Sequence, residues 1–200
     1  MPLIHKLSLL TFCTVFCGVC AYSEQDAPQS IKNDIAKLYS DNAETRSDAA
    51  SRLAAVGPSA ISLLAPVVCD RTKSHFDVAW PAAAKILGDL KATAAASCLV
   101  DLLMYQYPSI GPVNGKSDEN LASVDPAFSA LTRIGEPAVP TIRKHLPLLR
   151  PDPAIMALRV LRAINTPSAR EAIEAYIKVL GDQVRIANQI LGGFKGRGGG

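Results

Sequence analysis

Four segments of the chain repeat one plan, and this repetition limits the possible folds more than any other feature. Each segment has an alanine-rich stretch with apolar residues three and four positions apart, then a glycine or asparagine, then a second such stretch. Residues at these spacings lie on one face of an α-helix. The turn residues are Gly57, Gly88, Gly135 and Asn165, which are 31, 47 and 30 residues apart. The pattern predicts helical hairpins at residues 42–68, 77–104, 125–149 and 152–180.

Proline marks the predicted helix starts. Asp125-Pro126, Asp152-Pro153 and Thr166-Pro167 each place a hydrogen-bond acceptor directly before a proline. The acceptor side chain satisfies a free backbone N–H of the first turn, and proline has no N–H to leave unpaired there. Pro58 directly follows Gly57, and Pro137 comes two residues after Gly135. Both prolines should begin second helices. Since no segment alternates apolar and polar residues as a β-strand would, the sequence predicts an all-α fold.

Other segments flank or interrupt the hairpins. Apolar stripes within residues 22–41 and near residues 184–191 predict helices that cap the two ends of a repeat domain, residues 42–191. An insertion at about 105–120 is rich in Pro, Gly, Ser and Asn, and residues 192–200 predict a flexible glycine-rich tail. One hairpin cannot bury its apolar face alone. We therefore expect an α-solenoid of about four hairpins with terminal capping helices.

Residues 1–21 have the pattern of a secretory signal peptide. Lys6 precedes an apolar run at 7–19, and small residues allow cleavage after Ala21 or Ser23. The run is shorter than the ~20 apolar residues of a membrane-spanning helix. We therefore expect a secreted or periplasmic protein with no stable membrane span. A lipoprotein attached through Cys20 is the alternative, although a valine precedes this cysteine where such signals prefer a smaller residue.

Charge and cysteine content add two expectations. The formal net charge of +3 is too small to predict a nucleic-acid partner, which needs a basic stripe. Cys69 and Cys98 are the cysteines beyond the signal segment. An oxidising compartment would permit a disulfide between them. The repeat alignment puts them at different heights on neighbouring helices, so it favours two unpaired, apolar core cysteines.

Three stretches of the chain resemble the HEAT-like repeat family, in particular its short bacterial form first associated with phycobilisome lyases. They are Arg-Leu-Ala-Ala-Val-Gly-Pro-Ser-Ala at 52–60, Ala-Lys-Ile-Leu-Gly-Asp-Leu at 84–90 and Ala-Leu-Thr-Arg-Ile-Gly-Glu-Pro-Ala at 130–138. The resemblance covers about residues 42–180. The fourth hairpin departs from it by turning at Asn165, which tolerates the left-handed conformation. The resemblance implies stacked helical hairpins that act as a scaffold or binding surface.

The sequence contains no recognisable catalytic motif. G-x-S-x-G, H-E-x-x-H and P-loop patterns are all missing, and His75 and His145 are too far apart to predict a metal site. The adjacent carboxylates Asp118 and Glu119 fall in the insertion and should be solvated. We therefore predict no catalytic residues, no metal and no cofactor.

The leading functional hypothesis is a non-enzymatic scaffold that binds a protein partner outside the cytoplasm. The alternatives are a bilin-lyase-like enzyme or chaperone, against which the export signal argues, and the membrane-tethered accessory lipoprotein. Loops on rigid scaffolds often carry function, and second helices usually line the concave surface of a solenoid. The candidate protein-binding residues are Tyr105, Tyr107 and Ile110 in the insertion and Asp101, Arg143, Lys144 and Lys178 on second helices.

Overall fold

The computed structural model describes residues 29–105 and 117–194, and within these ranges the chain forms helices and no β-strand. The prediction of an all-α fold is confirmed for this part of the chain. Short 3₁₀ turns at Gly57–Ala60, Thr93–Ala95, Glu136–Ala138 and Leu146–Leu148 join or extend the helices. The helices are α1 (Gln29–Lys37), α2 (Ala43–Val56), α3 (Ile61–Cys69), α4 (Phe76–Asp89), α5 (Ala96–Asp101), α6 (Asp118–Val124), α7 (Pro126–Ile134), α8 (Val139–His145), α9 (Pro151–Ile164) and α10 (Pro167–Phe194).

The helices contact one another in two series. In the first series α1 packs on α2, α2 on α4, α4 on α7 and α7 on α9. In the second series α3 packs on α5, α5 on α8 and α8 on α10. Buried apolar residues from both series form one continuous core. Each predicted hairpin therefore contacts the hairpin that follows it in the sequence.

Two turn glycines have the role that the sequence predicted, and one does not. Gly57 and Gly135 end their helices at φ values of 73° and 75°, a region that side chains other than glycine rarely adopt. Gly88 instead lies inside α4, and the chain turns after it, where Lys91 has φ 52°. A Cβ atom on Gly88 would stand 2.7 Å from the Cα of Ala130. The prediction of a turn at Gly88 was wrong because this glycine allows α4 and α7 to pack closely.

Asp125 begins α7 as predicted. Its Oδ1 accepts hydrogen bonds from the backbone N–H groups of Ala127 and Phe128, at 2.9 and 3.0 Å. Its Oδ2 accepts a third bond from the backbone N–H of Met104 at 3.1 Å. Burial raises the pKa of Asp125, although the three hydrogen bonds oppose this shift. The same carboxyl group therefore caps α7 and holds the end of the second hairpin.

The predictions for the two helix starts of the fourth hairpin have different outcomes. Thr166 caps α10 as expected, because its Oγ1 accepts a hydrogen bond from the backbone N–H of Ala169 at 3.3 Å. The predicted start at Asp152-Pro153 was wrong, since α9 begins two residues earlier, at Pro151. Arg150 occupies the cap position of α9 without a side-chain hydrogen bond. Pro151 already supplies the helical φ angle, so it fixes the first residue of α9.

The end of the predicted insertion is helical. Residues from Asp118 onward form α6, which packs against α7. Asp118 accepts hydrogen bonds from Arg162 at 2.7 Å and from Arg159 at 3.0 Å, both on α9. These two guanidinium groups, Arg162 above all, hold the pKa of the Asp118 carboxyl below its usual value. The expectation of a solvated Asp118 was wrong because this side chain anchors α6 to α9.

The C-terminal helix is longer than predicted. A separate capping helix near 184–191 and a tail from 192 were expected, but α10 runs without a break from Pro167 to Phe194. A single glycine in a helix costs only about 1 kcal/mol, so Gly181 does not end α10. The predicted signal peptide, residues 22–28 and the last six residues lie outside the described ranges.

The stretch Ala43–Cys69 has the length and apolar composition of a membrane-crossing helix. It comprises α2, the 3₁₀ turn at Gly57–Ala60 and α3, and it contributes Leu53 and Leu64 to the buried core.

Candidate functional site

An open cleft of about 1050 Å³ lies beside the C-terminal ends of α3 and α5. Three separate parts of the chain line it. They are the end of α3 with the residues that follow it, α5 with the turn up to Tyr105, and the link between α8 and α9 with the first residues of α9. Because these segments belong to successive hairpins, the cleft exists only when the hairpins pack side by side. Predicted site residues Asp101 and Tyr105 both line it.

A disulfide between Cys69 and Cys98 lies in the wall of the cleft. The two Cα atoms are 5.1 Å apart, within the range that a disulfide requires. The expectation of unpaired core cysteines was wrong in both respects, because Cys69 is exposed and Cys98 is half-buried. A 3₁₀ turn at Thr93–Ala95 precedes α5, and Cys98 on α5 lies beside Cys69, the last residue of α3. The bond links the second helices of the first two hairpins.

Tyr105 is an exposed aromatic residue whose ring is restrained by neighbouring side chains. Its ring makes edge-on contacts with Phe76 and Trp80, whose ring centroids are 5.5 and 6.1 Å away. The guanidinium carbon of Arg71 lies 5.6 Å from the centroid of the Tyr105 ring. Arg71 also donates a hydrogen bond from Nη2 to the backbone carbonyl of Asp101 at 2.7 Å. Tyr105 therefore presents part of a large, restrained ring to the cleft.

The link between α8 and α9 adds an apolar group and further charges. Leu148 has 81% of its surface exposed, the highest value among the exposed large apolar residues of the described chain. Arg150 on the same link and Asp152 in the first turn of α9 are also exposed. Together with Arg71 and Asp101, they give the cleft both signs of charge around its apolar groups.

Next to the cleft, three side chains stand in the order of a serine-hydrolase triad. Ser97 Oγ lies 3.1 Å from His145 Nε2, and His145 Nδ1 lies 3.5 Å from Asp101 Oδ1. A working triad buries its acid and hydrogen-bonds it to the histidine. Asp101 is exposed, and 3.5 Å exceeds a normal hydrogen bond. We interpret the cluster as a polar link between α5 and α8.

The remaining predicted site residues do not meet at the cleft. Arg143 and Lys144 are exposed on α8, and Lys178 is exposed on α10. Tyr107 and Ile110 lie outside the described residues. His75 is exposed as expected, with Nδ1 3.1 Å from Asp41 Oδ1.

Sequence reasoning missed Leu148, Arg150 and the disulfide as parts of one surface. Local sequence patterns gave no specific signal for Leu148, because adjacent apolar residues such as Ile86 and Leu87 are buried together elsewhere in the chain. Among the described residues, no group of three histidine, cysteine or acidic side chains is placed to hold a metal ion. Comparisons with protein-family models, with curated proteins and with solved structures found no match.

Proposed function

We propose that this chain is a non-enzymatic scaffold that binds a protein partner through the cleft beside the C-terminal ends of α3 and α5. The observation that carries the proposal is the pairing of a restrained, exposed tyrosine with a nearly fully exposed leucine in one open cleft. Large aromatic and apolar side chains that are already ordered give much contact area for little loss of entropy. Tyrosine is among the residues most enriched as anchors of protein interfaces.

The wider architecture in this proposal is an α-solenoid of HEAT-like hairpins. Support comes from the two contact series, in which first helices pack on first helices and second helices on second helices. In a solenoid each unit contacts only its neighbours, and the stack offers an extended surface. The cleft lies at the C-terminal ends of the second helices, so a partner would contact several units at once.

The proposed ligand is an extended peptide segment of the partner, with an apolar side chain and charges on both sides of it. The apolar side chain would pack between Tyr105 and Leu148. Arg71 and Arg150 would face acidic groups of the segment, and Asp101 would face a basic one. Charges at the rim mainly set orientation and partner choice, whereas buried apolar anchors supply most of the affinity.

Replacing both Tyr105 and Leu148 with alanine should weaken partner binding by roughly 10-fold to 100-fold, because two anchors would be lost. The partner would be recovered by cross-linking and pull-down from the native compartment, and its affinity measured by titration. The matched control is Ile155→Ala, which removes an exposed apolar side chain from α9 outside the cleft. Equal affinity of the double variant and the wild-type chain would exclude the cleft. A variant lacking residues 106–116 tests the predicted contribution of Tyr107 and Ile110.

The proposed location is outside the cytoplasm. Besides the signal pattern of residues 1–21, the disulfide between Cys69 and Cys98 supports it, because such bonds persist in oxidising compartments. Mass spectrometry of the N-terminus tests the location. A start at Tyr22 or Glu24 is expected. An acylated Cys20 would instead indicate the lipoprotein, and an intact Met1 would contradict export.

A further inference from the structure

The C-terminal helix extends beyond the helices that it packs against. With 28 residues α10 is about 42 Å long, twice the length of α9. Its first turns pack on α8 and α9, where Ala169 and Ala172 are buried and Ile173 and Tyr176 are half-buried. After Tyr176 the described residues of α10 are exposed. The second half of α10 therefore has no partner within the described chain.

Exposed apolar residues follow one side of this free part of α10, and two more, Val179 and Ile186, lie on the other side. Ile177, Leu180 and Val184 have 59%, 40% and 61% of their surface exposed. They continue from Ile173 with spacings of four, three and four residues, and in the sequence the same spacing goes on at 187 and 191. Alternating steps of four and three residues are the pattern by which two helices interlock side chains along their length. The spacing therefore indicates a helix as the missing partner.

We propose that this partner is α10 of a second copy of the chain, packed antiparallel around a two-fold axis near Asp182. In this arrangement Leu180 lies against Val184 of the second copy, and Ile177 lies against position 187. Because each copy's own hairpins cover the first turns of its α10, an antiparallel pair puts the two bodies at opposite ends. A parallel pair would force both bodies to the same end.

Two further features favour a second copy. Gly181 lies beside the axis, and a Cβ placed on it would meet nothing within 4 Å, so the two backbones have room to approach closely. The polar side of α10 carries Glu174, Lys178, Asp182 and Arg185, whose charges cancel. Helices that lie on membranes usually carry an excess of basic residues on this side. A self-paired helix needs no such excess.

The size of the contact sets the expected affinity. The overlap of the free parts, from Ile177 to position 187, runs over about 11 residues of each helix, or roughly 16 Å. Such a contact is smaller than the ~800 Å² per partner of a standard stable interface. The dimer should therefore be reversible, with a Kd on the order of 1–100 μM.

Sedimentation velocity of the full chain, in the form that the cell accumulates, tests the proposal between about 1 and 300 μM. The wild-type chain should change from monomer to dimer over this range. Ile177→Glu combined with Val184→Glu should remain monomeric, and circular dichroism should show that it is folded. Leu148→Glu, which also places a charge at an exposed apolar site, should dimerise like the wild type. A monomeric wild-type chain at 300 μM, or an unaffected double variant, would overturn the proposal.

Ile177→Cys tests the orientation. In the antiparallel pair the two 177 positions lie ten residues apart along the axis, about 15 Å, and should not form a disulfide. Efficient cross-linking of this variant to itself would mean a parallel pair and would contradict the model of opposed bodies. Sedimentation with anionic phosphatidylserine vesicles distinguishes the proposed dimer from a helix that binds lipid. A monomer that binds vesicles, and loses binding in the double glutamate variant, would overturn the dimer.

Discussion

Replacing Gly88 with valine should lower the free energy of unfolding by roughly 3–4 kcal/mol, as a severe case of overpacking. The new Cβ would stand 2.7 Å from the Cα of Ala130. A flexible side chain could move aside, but the clashing atom belongs to the backbone of α7. The two helices would have to separate at this close contact, and the apolar residues around it would lose packing.

Urea unfolding followed by circular dichroism measures this change. The matched control is Gly181→Val, since a Cβ at Gly181 meets no atom within 4 Å. Valine is a slightly better helix former than glycine, so this control should be as stable as the wild-type chain or slightly more stable. Both unfolding curves should be recorded at low micromolar concentration, where α10 is expected to be unpaired. If the two variants were equally stable, the close contact between α4 and α7 would be disproved.

Cys69→Ser should lower the free energy of unfolding by about 3–4 kcal/mol, because the disulfide closes a loop with a sequence separation of 29 residues. Cross-linking restricts the unfolded chain, and losing the link returns that freedom. Since Cys69 is exposed, the serine hydroxyl remains in contact with water and adds little penalty of its own.

Reduction of the wild-type chain is the internal control for this second experiment. Dithiothreitol should bring the unfolding midpoint of the wild type to that of Cys69→Ser and leave the variant unchanged. A wild-type midpoint that does not respond to reductant, or an intact mass two daltons above that of a disulfide-bonded chain, would show that the bond is missing. That result would also remove one support for export.

Local sequence rules predicted the helices well but not the contacts between them. The stripes of apolar residues and the acceptor before Pro126 were enough to predict α7 and its cap at Asp125. The third hydrogen bond of Asp125, to Met104, crosses an insertion, and no local pattern reports it. The prediction of a turn at Gly88 failed for the same reason. A glycine needed for close helix packing looks identical in sequence to a glycine needed for a turn.

The residues of the candidate cleft also divide into those that local sequence could predict and those that depend on contacts between helices. Tyr105 and Asp101 could be proposed from the sequence, since an aromatic residue at the start of an insertion and a charge on a second helix are local features. Leu148 belongs to the third hairpin and Arg150 to the link that follows it, and their place in the same cleft as Tyr105 depends on how α5 and α8 pack. The disulfide depends on how the ends of α3 and α5 lie relative to each other, which the repeat alignment did not resolve.

The bond from Met104 to Asp125 has a consequence for how this protein could acquire new partners. The residues on either side of the segment 106–116 are fastened to each other through one buried carboxyl group. Changes of length or composition in that segment would leave the neighbouring helices where they are. We expect variation there to change the proposed recognition surface with little change in the free energy of unfolding.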